Sequence, residues 1–178
     1  MKTLAQIQKE VGRWSLLNFG SQQSMSTGAN LYSLSPLLGI VEEIGEYEEA
    51  SFSNDLLEMR DAIGDILIYV CDFAEREEYC VLLMPHGAPM SNQTLTIAAG
   101  MLCHAALKRH QGIRGFDDGS IYRAGRDRAL DILMKVIGYI CEDILNTTLT
   151  EILNETWESV QKRDWKKNPK GEPDADAG

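Results

Sequence analysis

Apolar side chains recur along this chain every three or four residues, and no stretch alternates strictly between apolar and polar positions. This spacing is typical of α-helices that bury one face, whereas strands repeat at every second residue. Helices are predicted from 3 to 18, from Ser35-Pro36 to a break at 51–54, from Asn54 or Asp55 to about 78, and over about 93–110, 125–146 and 150–164. The sequence therefore predicts an all-α fold, a helical bundle of five to six helices.

Segments rich in Gly, Pro and Ser separate the predicted helices, at residues 19–34, 84–92 and 111–124. The first of these is long for a compact domain, and such segments are often lids or binding loops. A length of 178 residues is typical of one domain, which we place at residues 1–165. The polar tail at 166–178 contains Pro and Gly and is predicted to be disordered.

Two acidic motifs stand out within residues 37–73: Glu42-Glu43-Ile-Gly-Glu46 and Asp61-Ala-Ile-Gly-Asp65. Carboxylates three or four positions apart lie on one face of a helix. Asp65 directly precedes the run Ile66–Val70, which is apolar around the whole helix and is therefore expected to be buried. We expect Asp65 to enter the interior, where an unpaired carboxylate needs a cation, a donor or a proton.

The first acidic helix allows two interpretations. Its glutamates lie mostly opposite an apolar arc and could form a solvated acidic face. However, no Lys or Arg occurs from 37 to 59 to relieve the repulsion between them, and a divalent cation would do so. Mg²⁺ prefers oxygen ligands and often binds a few carboxylates together with substrate phosphates. Two antiparallel helices could thus place Glu43 and Glu46 beside Asp61 and Asp65 as a Mg²⁺–phosphate site.

Composition narrows the class of protein. The net charge of −10 argues against binding to nucleic acid polymers, which requires a basic surface. No apolar run approaches the length of a membrane helix, and no signal sequence is recognisable, so no membrane partner is expected. The four cysteines form no C-x-x-C motif and are typical of reduced core residues in a cytoplasmic protein.

Basic residues offer a second set of candidates. Lys108 and Arg114 flank the end of a predicted helix and could contact phosphates, or could simply interact favourably with that helix terminus. A further group at Arg123, Arg126 and Arg128 is expected to be a solvated helix start.

Aromatic residues near the acidic motifs could recognise a nucleobase. Trp14, Phe19 and Tyr69 are candidates for stacking on its face, although core packing is the simpler role for each. Asn18 could then bind a base edge, because its amide offers both a donor and an acceptor.

The two acidic motifs together resemble those of the MazG-like all-α nucleoside triphosphate pyrophosphohydrolases, which include dCTP pyrophosphatase, dimeric dUTPase and phosphoribosyl-ATP pyrophosphohydrolase. The resemblance covers about 60 residues and rests on Glu43-Ile-Gly-Glu46 and Asp65-Ile-Leu-Ile-Tyr-Val, with support from Trp14…Asn18-Phe19-Gly20 and Trp157…Lys162-Arg163-Asp164-Trp165. The second family motif, E-x-x-D, would place Glu at position 62, where this chain has Ala62. Asp61, one turn before Asp65, could supply that carboxylate; Glu58-Met-Arg-Asp61 also spells the motif, but its apolar run follows too late.

The resemblance implies an enzyme that hydrolyses a nucleoside triphosphate to the monophosphate and pyrophosphate, acting on surplus or non-standard deoxynucleotides. Its implied cofactor is Mg²⁺, with Mn²⁺ as a possible substitute, held by Glu43, Glu46, Asp61 and Asp65. Glu42 or Glu58 would position or deprotonate the attacking water. The family also implies a homodimer or homotetramer. The alternative is a non-catalytic helical interaction protein whose acidic faces are solvated or bind a basic partner.

Overall fold

The computed structural model describes residues 1–19, 33–81, 89, 92–116 and 119–167. These residues form six α-helices and no strand: α1 (Leu4–Phe19), α2 (Leu34–Ser53), α3 (Leu56–Arg76), α4 (Leu95–His110), α5 (Ser120–Tyr139) and α6 (Leu149–Val160). The predicted all-α helical bundle is thereby confirmed. No helix among them is both long enough and apolar enough to cross a membrane. Most of the predicted loops at 19–34 and 84–92, and the tail from 168 onward, lie outside the described residues.

Several helix boundaries differ from the sequence prediction. Helix α5 begins at Ser120, five residues early, because Gly119 adopts a left-handed conformation (φ 81°) that starts the helix there. It ends at Tyr139 and continues as a π-helical turn, Ile140–Ile144, instead of as an α-helix to residue 146. Helix α2 begins at Leu34 after Ser33, whose hydroxyl donates to Glu77 and makes no capping hydrogen bond.

Helix α3 is the central element of the bundle. It begins at Asp55, whose carboxylate accepts hydrogen bonds from the backbone N–H groups of Leu57 and Glu58. It then packs against α1, α2 and α6. The run Ile66–Val70 is buried as predicted, except that Tyr69 is only half-buried. Because α1, α2 and α6 all pack against α3, the positions of the carboxylates along α3 are well defined.

Helices α2 and α3 are antiparallel, and their register sets the acidic motifs side by side. The Tyr69 ring packs so closely over Gly39 that a Cβ there would lie 2.5 Å from it. The bond between Ser33 and Glu77 fixes the same register nearer the open end of the pair. Glu43 lies one helical turn after Gly39, and Asp65 lies one turn before Tyr69. Because the two helices are antiparallel, Glu43 and Asp65 are therefore at the same level.

Helix α6 approaches α3 at an equally close contact. A Cβ added to Gly64 would overlap the Thr156 hydroxyl and lie 3.1 Å from the Thr156 Cβ. A capping box starts α6, in which Thr148 and Glu151 each bind the other's backbone N–H. The helix is thus well defined at its start and held against α3 in its second half.

A buried ionic network lies at the opposite end of α3 from the acidic motifs. Glu77 accepts hydrogen bonds from Arg109 (3.2 Å) and Arg126 (3.4 Å). Arg126 is only 5% exposed, so the prediction that it belongs to a solvated helix start is wrong; Arg123 and Arg128 are exposed as expected. Burial is tolerated because Arg126 also binds the Glu77 carbonyl and lies over the Tyr79 ring.

We predict that Gly64→Ala lowers the free energy of unfolding by about 1–3 kcal/mol, because the added methyl overlaps the short, stiff Thr156 side chain. Gly100→Ala is the matched control: that glycine lies in α4 with no atom near its Cβ position, so alanine should stabilise by about 0.5–1 kcal/mol. Urea unfolding of both variants measures the difference. Similar effects of the two substitutions would show that the α3–α6 contact is looser than described.

Candidate active site

Glu43 and Asp65 form the centre of a carboxylate cluster on the paired helices α2 and α3. Burial, followed by the negative charges of Asp65, Glu46, Glu42 and Asp61 in that order, raises the pKa of Glu43 to about 8. The pKa of Asp65 is raised to about 6, first by burial and then by Asp61 and Glu46, while Arg163 opposes the shift. No described residue donates a hydrogen bond to either carboxylate. The two acids are therefore close, half-buried and short of positive charge.

The predicted metal ligands occupy different environments within this cluster. Glu43 and Asp65 are half-buried, whereas Glu46 and Asp61 are exposed. Among the described residues, no three His, Cys, Asp or Glu side chains already converge as metal ligands do. The exposed pair keeps its rotamer freedom, so Glu46 and Asp61 can turn toward a cation without moving the backbone.

This donor set fits a hard divalent cation. All four side chains offer carboxylate oxygens, which Mg²⁺ and Mn²⁺ accept. The cations near the cluster do not balance its charge, and the pKa values of Glu43 and Asp65 are raised as a result of burial and of this excess negative charge. A bound cation would offset that charge.

The two candidates for activating water differ in position. Glu42 raises the pKa of both Glu43 and Tyr69, so it lies within the electrostatic reach of the cluster. Glu58 lies in the first turn of α3, is exposed, and does not contribute to the pKa shifts of Glu43 or Asp65. The structure thus brings Glu42 to the acidic group and leaves Glu58 at its edge.

Two cavities meet at Asp65 and Arg163. The smaller, of about 70 Å³, is mainly apolar and aromatic. Its aromatic walls are Trp14, Phe19, Tyr69 and Trp165. The larger, of about 230 Å³, is a polar groove between α3 and α6. The structure therefore places the three aromatic residues predicted from the sequence around one pocket that opens beside Asp65.

The segment after α6 completes the aromatic pocket. The Trp14 indole N–H donates to the Arg163 carbonyl (3.1 Å), and the Trp14 ring meets Phe19 edge-on at 5.7 Å between centroids. The Trp165 ring lies 6.3 Å from Phe19. Trp165 Nε1 is buried and has no hydrogen-bond acceptor among the described residues, so its N–H is left unsatisfied by them.

Asn18 has a structural role that differs from the prediction. Its amide donates to the Trp14 carbonyl (3.0 Å) and accepts from the Trp165 backbone N–H (2.9 Å). It does not line the aromatic pocket. Asn18 therefore holds the backbone of Trp165 in place beside the aromatic pocket.

The predicted phosphate contacts Lys108 and Arg114 also differ from the structure. Lys108 is adjacent to Arg109, which contacts Glu77 at the far end of α3, about 18 Å along the helix from Asp65. Neither Lys108 nor Arg114 lines a cavity that contains Asp65. The cations at the acidic cluster are instead Arg163, which lines both cavities, and Arg60, which lines the polar groove.

Sequence reasoning missed the functional candidates Arg60, Arg163 and Trp165. Only the Lys162-Arg163-Asp164-Trp165 run, quoted above for its resemblance, pointed to two of them. Arg163 forms no ion pair with a described residue, although it lies near enough to Asp65 to lower that carboxyl's pKa. An unpaired guanidinium beside a carboxylate cluster is suited to an anionic ligand that arrives with a cation.

Comparison of the chain with models of protein families, with curated proteins and with solved structures found no match. The functional assignment therefore rests on the residues and geometry of this chain.

We predict that the metal-free protein loses stability as the pH rises from about 4.5 to about 8, because the folded state holds a proton on Glu43 that the unfolded chain releases near its ordinary pKa. Glu43→Gln removes this charge and should flatten the pH dependence, with a gain of about 1–2 kcal/mol at pH 8 after solvent screening is allowed for. Urea unfolding in EDTA at several pH values measures both. The exposed Glu49→Gln is the control, and an equal gain from it would exclude a special position for Glu43.

Proposed function

We propose that this chain is a Mg²⁺-dependent nucleoside triphosphate pyrophosphohydrolase of the MazG-like type, converting a nucleoside triphosphate to the monophosphate and pyrophosphate. The observation that carries the proposal is the position of the carboxylate cluster. Asp65, one acid of the cluster, lines both the aromatic pocket and the polar groove, and Asp61 lines the groove. A nucleotide has the same two parts, a flat ring and a phosphate chain, on either side of its reacting bonds.

The four acids Glu43, Glu46, Asp61 and Asp65 would hold Mg²⁺, or Mn²⁺ in its place. When bound, the cation supplies positive charge that polarises phosphate oxygens and lowers the pKa of a nearby water. Asp61 takes the position in this set that Ala62 cannot fill, because it lies one turn from Asp65 on the same helix face.

The chain's own residues then position the substrate. Arg163 contacts the phosphate chain near Asp65 and offsets negative charge as the bond breaks. Glu42 accepts a proton from the attacking water. Water adds to phosphorus, the α–β anhydride bond breaks, and pyrophosphate leaves. The phosphate groups themselves carry most of the chemistry, so positioning and charge compensation are the protein's main contributions.

The aromatic pocket would bind the nucleobase. Its wall of Trp14, Phe19 and Trp165 provides ring faces, and the unpartnered Trp165 N–H can donate to an acceptor on the base. Tyr69 lies between this pocket and the acids, and burial, followed by the charges of Glu43 and Asp65, raises its pKa. Tyr69 therefore remains a neutral hydroxyl near the sugar end of the site.

We also propose that the chain acts as a homodimer or homotetramer in the cytoplasm. Leu34, Leu38 and Val41 expose an apolar stripe on α2, at 39%, 57% and 43% of their full area. Residues at this spacing share one helix face, and such a face suits contact with a second helix. The four cysteines are free, which agrees with a reducing compartment, although Cys80 is exposed where a core position was predicted.

The competing function is a helical interaction protein with no catalysis. Its acidic surface would then bind a basic partner, and the cavities beside Asp65 would be incidental. A panel of deoxynucleoside and ribonucleoside triphosphates, assayed for pyrophosphate release with and without Mg²⁺, separates the two functions. If no nucleotide turns over and Mg²⁺ does not raise the melting temperature, the interaction protein is the better description.

We predict that Asp65→Asn reduces turnover by at least about 100-fold, as expected when a group that stabilises transition-state charge is removed. The same variant should be more stable than the wild type without metal, because an amide at this half-buried position carries no charge. Mg²⁺ should raise the melting temperature of the wild type but not of the variant. Loss of stability together with turnover would indicate a structural role for Asp65.

We predict that Trp165→Phe raises the KM for the preferred nucleotide about two- to tenfold with little change in kcat, because it removes one hydrogen-bond donor and keeps the ring. Trp157→Phe is the matched control: its indole N–H donates to Glu10 outside the pocket (2.7 Å). This control should lower stability without a change in KM. Equal KM values in the wild type and Trp165→Phe would exclude the indole N–H from base recognition.

A further inference from the structure

We propose that the groove between α3 and α6 is the subsite for the polyphosphate chain, and that Arg60 exchanges its present partner Glu155 for the terminal phosphates. The inference rests on the proposed function, because it assigns the part of the substrate that the groove would hold. Arg60 lies one position before Asp61, on the side of α3 that faces α6.

The shape of the groove suits a short chain of phosphate groups. Its volume of about 230 Å³ corresponds to about eight water molecules at liquid density. It begins at Asp65 and Arg163, where it meets the aromatic pocket, and it also contains Arg60. A ligand whose ring occupies the pocket would therefore direct its phosphate tail along the groove.

The groove also has the donors that phosphate requires. Arg60 and Arg163 carry planar guanidinium groups, which bind phosphate oxygens in pairs. Thr156 and Ser159 lie three positions apart on α6, so their hydroxyls share the helix face that lines the groove. Neither hydroxyl forms a hydrogen bond with a described residue, and both remain available as donors.

The acids of the groove select the kind of anion. Asp61, Asp65 and Glu155 outnumber the two arginines, so a simple anion meets net repulsion. A polyphosphate that carries a divalent cation brings compensating positive charge to Asp61 and Asp65. This charge pattern favours a metal–polyphosphate complex over a carboxylate or sulfate ligand.

The present partner of Arg60 is the basis of the test. Arg60 is bonded to Glu155 at 2.5 Å, and the Glu155 side chain is 63% exposed. An exposed ion pair contributes little to stability, so Arg60 can exchange it for phosphate at low cost. If Arg60 binds phosphate, Glu155 competes with the ligand for it. Removal of Arg60 should then weaken phosphate binding, whereas removal of Glu155 should strengthen it. If the pair is only structural, both removals act in the same direction.

The experiment is titration calorimetry of inorganic tripolyphosphate in excess Mg²⁺ with the full-length protein. We expect Arg60→Met to weaken binding by about tenfold or more, because a charge-assisted hydrogen bond is lost. Glu155→Gln should tighten binding by about twofold to threefold, because the repulsion and the competition both disappear. Arg128→Met removes an exposed positive charge from α5 and should leave affinity within about twofold of the wild type. Circular dichroism establishes that all variants are folded.

Two results would overturn the assignment: equal affinities of the wild type and Arg60→Met, or a loss of affinity in Glu155→Gln that matches the loss in Arg60→Met. Absence of tripolyphosphate binding to the wild type would also overturn it. The assay needs no hydrolysis, so it is separable from the proposed function. If the wild type binds tripolyphosphate but hydrolyses no nucleotide, the phosphate subsite is supported and the proposed enzymatic function is not. If the wild type and Arg60→Met hydrolyse nucleotides with the same KM, the proposed enzymatic function is supported and the assignment of Arg60 to the phosphate subsite is not.

Discussion

The repulsion between carboxylates on α2 and α3 is the constraint on which the candidate site depends. Glu43 and Asp65 are held level with each other by the close packing of Tyr69 over Gly39 one turn away. The backbones that carry the two acids cannot separate without loss of that contact, and burial strengthens the interaction between their charges. The helix pair therefore maintains an arrangement that is unfavourable when both acids are ionised. A proton or a cation relieves this repulsion, and the pH and the ligand concentration determine which of the two is bound.

Helix α6 and the segment after it convert this arrangement into a site with two sides. Gly64 lets α6 approach α3, and the groove forms beside that contact. Beyond the helix, the Trp14 bond to the Arg163 carbonyl turns the chain back across α1. This turn places Arg163 at the boundary of the groove and Trp165 in the aromatic pocket. A short terminal segment thus contributes both a phosphate-type and a ring-type contact, while Asn18 fixes its backbone.

The sequence predicted the features that depend on local pattern. The apolar run after Asp65 identified the central helix, and the spacing of the acids identified the face they share. Features that depend on distant partners could not be read in this way. In α1 the apolar Leu17 is 71% exposed, whereas the polar Ser15 faces inward and binds Asp72, 57 positions away. Arg126 is buried because Glu77, 49 positions away, provides its partner.

The same limit applies to the positions of the basic residues. Local composition made Lys108 and Arg114 the densest available cations, but it does not say which end of α3 the helix α4 approaches. The ion pair between Arg109 and Glu77 shows that this is the far end. Arg163 reaches the acids only through the packing of α6 on α3, and the same packing gives Arg60 its partner Glu155; no periodicity reveals either contact. Positions on one helix were therefore predictable, and contacts between helices were not.

The treatment of charge elsewhere in the bundle argues that the acidic cluster is functional. Asp72 is buried, but Arg76 binds it at 2.8 Å and Ser15 at 2.9 Å. Glu77 is similarly paired with two arginines. These two carboxylates are therefore paired with cations inside the bundle. Within the described residues Glu43 and Asp65 have no such partners, although Arg163 is close enough to affect Asp65 and stops short of an ion pair. A missing counter-charge at the junction of two cavities is what a site for a cation and an anionic substrate requires, whereas a solvated acidic face would have no reason to bury these two acids.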